Sequence, residues 1–172
     1  MDLKRLISIY GGFPKEGVSF KDMSPLLADP EAFSYAISEL ARMTSDLKPD
    51  VVLGPEARGF VIGAPLALAL KVGFVMARKP GKLPGDLVTF EYGKEYGTDT
   101  MAVEKGLIKP GARVLIADDL MATGGTAKAL VQLVRELGAI PAGVVSLIHL
   151  TDFCGEKDFA PVPFRALIRY SR

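Results

Sequence analysis

Short, continuously apolar segments alternate with longer amphipathic segments along most of the chain. The apolar runs predict buried strands over residues 51–53, 73–77, 113–117 and 140–148. Apolar residues at helical spacing predict helices over residues 30–47, 59–70 and 126–137. Strands that are apolar on both faces and alternate with helices are typical of a parallel sheet covered on both sides. The predicted fold class is therefore α/β.

Two segments depart from this alternation. Residues 11–25 are punctuated by glycine and proline, which predicts irregular structure near the N-terminus. Residues 80–105 are polar and rich in glycine, with short alternating pieces that predict a two-stranded excursion from the main sheet. Because long excursions on an α/β scaffold commonly carry function, we interpret residues 80–105 as a lid over a binding site.

Composition narrows the class of protein. The 172 residues are enough for one domain with one good core. A net charge of +1 offers no electrostatic basis for binding nucleic acid or a membrane surface, and no apolar run approaches the ~20 residues that a membrane-spanning helix needs. Cys154 is the one cysteine, so no intrachain disulfide can form, which favours a reducing, cytoplasmic setting.

The most informative segment covers residues 114–126. A predicted buried strand ends in two adjacent carboxylates, Asp118 and Asp119, and a glycine-rich loop then leads into a predicted helix. Gly124 and Gly125 allow a sharp turn, so that successive amides and the helix N-terminus face an anion. Carboxylates accept hydrogen bonds from vicinal sugar hydroxyls. A phosphate cradle beside paired acids predicts a site for a phosphorylated pentose.

Residues 114–126 resemble the phosphoribosyl diphosphate motif of the type I phosphoribosyltransferases, a hydrophobic run followed by two acids and a Thr-Gly-Gly-Thr-like loop. The resemblance implies one domain over residues 1–172, with a parallel sheet flanked by helices, a small N-terminal hood (about 1–28) and a flexible two-stranded lid (about 80–105). It also implies binding of 5-phospho-α-D-ribose 1-diphosphate (PRPP). Its ribose and 5′-phosphate would contact Asp118, Asp119, Ala122, Thr123, Gly124, Gly125 and Thr126.

Further segments narrow the resemblance to the adenine phosphoribosyltransferases. Residues 13–25 are similar to the hood of that family, and residues 54–60 are similar to its diphosphate loop. Residues 77–85 are similar to its approach to the lid, and residues 95–97 to the catalytic part of its lid. Residues 161–164, near the end, are also similar. The segments occur in the family's order and span nearly the whole chain. The implied function is purine salvage, in which adenine and PRPP give AMP and diphosphate, and the implied assembly is a homodimer.

The resemblance also assigns the charged residues of the site. It places the diphosphate against Arg58, Arg78, Lys79 and Lys82, where arginine offers a planar fork and lysine a movable point charge. It makes Glu95 and Tyr96 the active residues of the lid. The implied catalytic residues are Glu95 for proton handling at the purine, Arg58 for charge on the departing oxygen, and Asp118 for fixing the ribose. Mg²⁺ is expected to arrive with PRPP and to be held by PRPP and by waters near Asp118 and Asp119, without dedicated protein ligands.

The base site is where the chain departs from the family pattern. The resemblance places adenine along Ser19, Phe20 and Lys21, with Phe20 stacking on one face and Leu120 covering the other. The family usually has a branched apolar residue in place of Ser19 and an arginine in place of Lys21. Two alternatives therefore stay open: a phosphoribosyltransferase for another purine, and a non-enzymatic PRPP-sensing regulator of the same fold. The near-neutral chain has no spare length for a DNA-binding domain, which disfavours the regulator.

Neither His149 nor Cys154 is predicted to have a catalytic or metal-binding role. His149 ends a predicted apolar strand, and with no second histidine a metal site is disfavoured, so we interpret it as structural. Cys154 has no catalytic partner that the sequence reveals, so no chemical role is predicted for it.

Overall fold

A five-stranded, all-parallel sheet flanked by helices forms the centre of the computed structural model, which describes residues 1–93 and 98–171. The predicted α/β class is confirmed. The strands are β1 (Ser8–Gly11), β2 (Ser19–Asp22), β3 (Val51–Pro55), β4 (Gly73–Ala77), β5 (Leu87–Gly93), β6 (Thr98–Glu104), β7 (Arg113–Met121), β8 (Ile140–Leu150) and β9 (Phe164–Tyr170). The helices are α1 (Ser24–Ala28), α2 (Pro30–Thr44), α3 (Arg58–Leu70) and α4 (Gly125–Glu136).

The main sheet has the order β4-β3-β7-β8-β9, with β7 at its centre. Alternate residues of β7 serve two separate cores, because successive side chains of a strand point to opposite faces. Val114 and Ile116 pack on the side covered by α4. Leu115 and Ala117 pack on the side covered by α2 and α3. The site at the end of β7 is therefore held from both faces.

Local sequence signals explain where the helices begin. The Asp29 carboxylate accepts hydrogen bonds from the amides of Glu31 at 3.0 Å and Ala32 at 2.9 Å, and Pro30 occupies the first position of α2. Helix α4 begins after Gly124, whose φ of +78° suits glycine. Within the residues that the structure describes, no helix is long and apolar enough to cross a membrane.

Three elements differ from the sequence-based expectations. The irregular structure expected over residues 11–25 is wrong for β2, which pairs antiparallel with β1. Strand β7 does not end at Ala117 but continues to Met121, where Leu120 and Met121 pair with Ile148 and His149 of β8. Strand β9 was not predicted, although its side chains alternate, with Phe164, Ala166 and Ile168 buried and Arg165 and Arg169 on the other face. Arg165 forms an ion pair with Asp46, which lies 119 residues earlier in the sequence, just after α2.

Residues 80–105 contain a two-stranded antiparallel sheet of β5 and β6, in register from Leu87↔Glu104 to Gly93↔Thr98. It is joined to the end of β4 by backbone hydrogen bonds between Arg78 and Ala102, at 2.9 and 2.7 Å. Strand β5 packs against α4, close to the glycine-rich loop. Whether this segment moves as a lid remains a prediction.

Candidate active site

A small cavity lies in the loop between β7 and α4. Its volume is about 140 Å³. It is lined by Asp118, Leu120, Met121, Ala122, Thr123, Gly124, Gly125, Thr126 and Ala127. The N-terminus of α4 faces this cavity and carries no acidic residue in its first turn. Such a helix end favours an anion, because its free amides and dipole are both positive there. The predicted ribose and 5′-phosphate residues other than Asp119 thus line one concave site.

The side chains that pack beneath this loop were not predicted from the sequence. A Cβ placed on Gly124 would lie 2.9 Å from Cζ of Phe159 and 3.6 Å from Sγ of Cys154. Both side chains are buried. Cys154 therefore packs beneath the loop. Nε2 of His149 lies 2.8 Å from the carbonyl oxygen of Cys154 and its ring meets Phe164 edge-on, and its structural role remains a prediction.

Gly124→Ala is expected to raise KM for PRPP by at least about tenfold. The new methyl group would force a left-handed backbone to change and would collide with Phe159, and such strain costs about 1–3 kcal/mol. Gly125→Ala is the matched control, because a Cβ there would meet nothing closer than Thr123 Oγ1 at 3.9 Å. Steady-state kinetics of both folded variants test this, and equal effects of the two substitutions would contradict the explanation.

The two acids lie beside the start of α3. Asp119 Oδ2 is 2.9 Å from Nε of Arg58, and the Asp119 side chain is only 6% exposed. That N–H is not aligned for a hydrogen bond, so within the described chain this buried oxygen is partnered by charge alone. Asp118 accepts the amide of Asp119 at 2.8 Å. A Cβ on Gly59 would lie 3.1 Å from Oδ1 of Asp118, so glycine keeps α3 close to the acids.

Burial and a neighbouring carboxylate raise the pKa of Asp118. Burial is the main cause that raises the pKa of Asp118 well above its usual range, and the neighbouring Asp119 carboxylate adds to the effect. Arg58 opposes this shift by attraction. Two close carboxylates beside one cation bind a proton, or a second cation, more readily than separate carboxylates do. The site is therefore suited to a ligand that brings hydroxyl donors and positive charge.

A single carboxylate, Glu56, contacts three of the four predicted diphosphate residues, Arg78, Lys79 and Lys82. Its Oε1 accepts the backbone amide of Lys79 at 2.6 Å, and its Oε2 lies 2.9 Å from Nζ of Lys82. Nη2 of Arg78 lies 3.6 Å from the same oxygen. Lys79 Nζ is also 3.6 Å from Asp99. Glu56 had no predicted role, and only its position between the matched residues Pro55 and Arg58 could have suggested one.

The contribution of Glu56 to stability is expected to depend on pH. Burial raises its pKa, but hydrogen bonds from Lys79 and Lys82 and the charges of Lys82 and Arg78 outweigh burial and lower it. A carboxylate with a lowered folded-state pKa stabilises above its unfolded pKa, and this stability is lost as the pH falls through the folded value. The difference in unfolding free energy between wild type and Glu56→Gln should therefore be constant near neutrality and shrink below about pH 4.3. Urea denaturation from pH 7 downward tests it, and a difference independent of pH would contradict it.

Three of the four predicted base residues lie on the N-terminal hairpin of β1 and β2. Phe20 is half-buried on β2 and meets the ring of Phe13 edge-on, with centroids 5.2 Å apart. Ser19 and Lys21 flank it, and Nζ of Lys21 donates to Oγ of Ser19 at 2.8 Å. Leu120 is half-buried on β7 beside the phosphate-loop cavity. The stacking of a base between Phe20 and Leu120 remains a prediction.

The predicted lid residues Glu95 and Tyr96 lie outside the described residues. The neighbouring Tyr92, on β5, reaches the phosphate loop, with its Oη 3.4 Å from Oγ1 of Thr126. The two-stranded sheet thus already contacts the loop that is expected to hold the 5′-phosphate. No group of three or more His, Cys, Asp or Glu side chains suited to a metal occurs in residues 1–93 and 98–171.

Comparison with known proteins gives a consistent assignment. Residues 26–157 match the family model described as the phosphoribosyl transferase domain. Adenine phosphoribosyltransferase of Streptococcus uberis is 46% identical over 170 residues, 99% of each chain. The crystal structure of adenine phosphoribosyltransferase from Thermoanaerobacter pseudethanolicus is 45% identical, covers 98% of both chains and superposes with a TM-score of 0.93.

A more distant structure shows what one relative binds. The Saccharomyces cerevisiae enzyme, 38% identical with a TM-score of 0.87 over 95% of this chain and 94% of its own, was crystallised with adenine and an imino-altritol bisphosphate. The fold, the glycine-rich loop with its paired acids, and the similarity along the whole chain all agree. The chain belongs to the phosphoribosyltransferase domain family and, within it, to the adenine phosphoribosyltransferases.

Proposed function

We propose that the protein transfers the 5-phosphoribosyl group of PRPP to N9 of adenine and releases diphosphate, giving AMP. The observation that carries the proposal is the convergence of an anion cradle, a pair of acids and a cluster of cations around the ends of β3, β4 and β7. These are the groups that a phosphorylated ribose bearing a diphosphate requires. Whole-length similarity to adenine phosphoribosyltransferases identifies the base.

Each part of PRPP has a place in this proposal. The loop of Ala122, Thr123, Gly124, Gly125 and Thr126 binds the 5′-phosphate through amides and hydroxyl groups. Asp118 and Asp119 accept hydrogen bonds from the ribose hydroxyls. The diphosphate lies against Arg58, Arg78, Lys79 and Lys82. Glu56 holds the cationic groups of Arg78 and Lys82, and the backbone of Lys79, until the more highly charged diphosphate takes over the two cations.

The chemical step breaks the bond between C1′ and the diphosphate oxygen and forms the bond from C1′ to N9. Positive charge develops on the ribose ring, and negative charge grows on the departing oxygen. Arg58 faces that oxygen as a preorganised cation. Glu95 accepts the proton that adenine loses from its imidazole ring, and closure of residues 80–105 excludes the water that would otherwise attack the sugar.

Mg²⁺ fits the acid pair. It prefers oxygen ligands and retains several waters, and Asp119 presents a buried carboxylate oxygen that has no hydrogen bond within the described chain. Asp118 and Asp119 would hold the ion through waters while PRPP supplies the remaining oxygens. When bound, Mg²⁺ neutralises charge on the leaving diphosphate.

We also propose a homodimer formed through α3 and the edge strand β4. Val61 and Leu68 share one face of α3 by their spacing, and Leu68 is 79% exposed. Met76 on β4 is a further exposed apolar side chain. A monomeric mass of the purified chain in analytical ultracentrifugation would contradict this assembly, and Leu68→Glu should shift a dimer toward monomer.

The single cysteine supports a reducing, cytoplasmic location.

A panel of bases tests the reaction directly. Purified protein with Mg²⁺ and PRPP is offered adenine, hypoxanthine, guanine or xanthine separately, and nucleotide and diphosphate are followed. We expect AMP, with strong preference for adenine. Turnover of a 6-oxopurine instead would overturn the assignment of the base, and tight PRPP binding without turnover of any base would overturn the enzymatic function.

A further inference from the structure

A cavity of about 530 Å³ lies between β2 and the ends of β8 and β9. Ser19 and Lys21 line it, together with Leu150 and Tyr170, whereas Phe20 does not. Successive side chains of a strand point to opposite faces, so the side chains of the residues before and after Phe20 lie on the face opposite the Phe20 ring. The side chains of Ser19 and Lys21 therefore face away from the ring expected to stack on the base.

The ammonium group of Lys21 is held from two directions. Its Nζ donates to Oγ of Ser19 at 2.8 Å. It also lies 5.0 Å from the centroid of the Tyr170 ring, within the range of a cation–π interaction. The first contact is within β2, and the second joins β2 to the last strand of the main sheet.

Tyr170 is a fixed point for these contacts. It is the last residue of β9, and its carbonyl accepts the amide of Thr151 at 2.9 Å and the hydroxyl of Thr151 at 3.2 Å. Nζ of Lys4 also lies 5.2 Å from the centroid of the Tyr170 ring. Its buried Oη has no hydrogen bond partner in the described chain. The ring, and not the hydroxyl, is therefore the part that ties the N-terminal hairpin to the sheet.

We propose that Ser19, Lys21 and Tyr170 form one positioning unit. The unit holds β2 at a set distance from the main sheet, so that the backbone of β2 can recognise the base. This inference rests on the proposed placement of adenine along residues 19–21. None of the three side chains needs to contact the base. Tyr170 then becomes a determinant of adenine affinity, although it lies on a strand for which no site role was predicted.

The same unit explains the two departures from the family pattern as one coupled change. An arginine stacks its flat, weakly hydrated guanidinium on an aromatic ring without help from a neighbour. A lysine ammonium is compact and strongly hydrated, so on leaving water it needs a hydrogen-bond acceptor. Ser19 supplies that acceptor, which a branched apolar residue would not. Ser19 therefore allows lysine to replace the family's usual arginine at position 21.

The first test separates the Tyr170 ring from its hydroxyl. Tyr170→Leu should raise KM for adenine by about three- to tenfold, the size of a lost cation–π contact, with kcat and KM for PRPP nearly unchanged. Lys21→Met should do the same, and the two effects should not add. Tyr170→Phe keeps the ring and should behave as wild type. Lys4→Met, which removes the other cation from the same ring but is not on β2, should leave KM for adenine unchanged.

The second test is a double-mutant cycle. Ser19→Val alone should raise KM for adenine, whereas Ser19→Val combined with Lys21→Arg should restore it. Additive effects in this cycle would overturn the coupling. Equal rises in KM for adenine and for PRPP with Tyr170→Leu would also overturn the proposal, since they would indicate general damage.

Phe20→Leu distinguishes failure of this inference from failure of the base site itself. If Phe20→Leu raises KM for adenine while Lys21→Met and Tyr170→Leu do not, the positioning unit is wrong and the base site stands. If none of the three changes KM for adenine, the placement of adenine along residues 19–21 is wrong, and the inference falls with it.

Discussion

Glu95→Gln is expected to lower kcat by about 10²–10⁴, with KM for PRPP little changed. The substitution keeps the size and the hydrogen-bonding ability of the side chain but removes its capacity to take the purine proton. Because the proton moves only in the chemical step, the loss should appear in kcat and not in the binding of PRPP. Single-turnover kinetics, in which product release cannot mask chemistry, is the measurement of choice.

The chain provides its own control for this experiment. The tripeptide Glu-Tyr-Gly occurs twice, at residues 91–93 and 95–97. Glu91 is exposed on β5, where it pairs in register with Thr100. Glu91→Gln should therefore change kcat by no more than about twofold, as surface substitutions usually do. A loss below about tenfold for Glu95→Gln, or an equal loss for Glu91→Gln, would remove Glu95 from the catalytic role.

Arg58→Gln is expected to lower kcat/KM for PRPP by about 10²–10³, the usual effect of removing one preorganised charge from a developing anion. Arg58 is suited to this role because it begins α3, is half-exposed toward the ligand side and is anchored at 2.9 Å to Asp119. Arg58→Lys keeps the charge but not the planar fork, so its loss should be smaller.

The same substitution also tests the acid pair. Without Arg58, the nearly buried Asp119 carboxylate loses its cation, which should lower the unfolding free energy. The loss should be about 1–3 kcal/mol, below that of a fully buried pair, because the Arg58 side chain is 56% exposed to solvent. Urea denaturation measures it. Arg169→Gln, which breaks an exposed ion pair of 3.0 Å with Glu156, should leave both activity and stability nearly unchanged. Destabilisation by Arg58→Gln without a loss of activity would refute the role in diphosphate binding.

Local sequence patterns predicted the elements whose signals are short in range. Continuous apolar runs identified β3, β4 and β8, and helical spacing identified α2, α3 and α4 within a few residues of their ends. The Gly-Gly pair after Asp118 and Asp119 predicted the sharp turn into α4, because the backbone freedom it requires is a property of the residues themselves. The pattern predicted the fold class for the same reason, since alternation of buried strands and helices has few packing solutions.

The tertiary structure alone decided which distant side chains share a site. Glu56 gathers Lys79 and Lys82 from positions 23 and 26 residues away, and no local pattern encodes that distance. The ring of Phe159 packs beneath Gly124, and the ring of Tyr170 lies 5.0 Å from Nζ of Lys21; both rings come from segments that carry no motif. Hydrophobic periodicity reports only whether a residue is buried, whereas its partner is set by the order of strands in the sheet. The sequence by itself therefore determined the scaffold and the chemistry of its central loop, and the order of strands determined the surroundings of that loop.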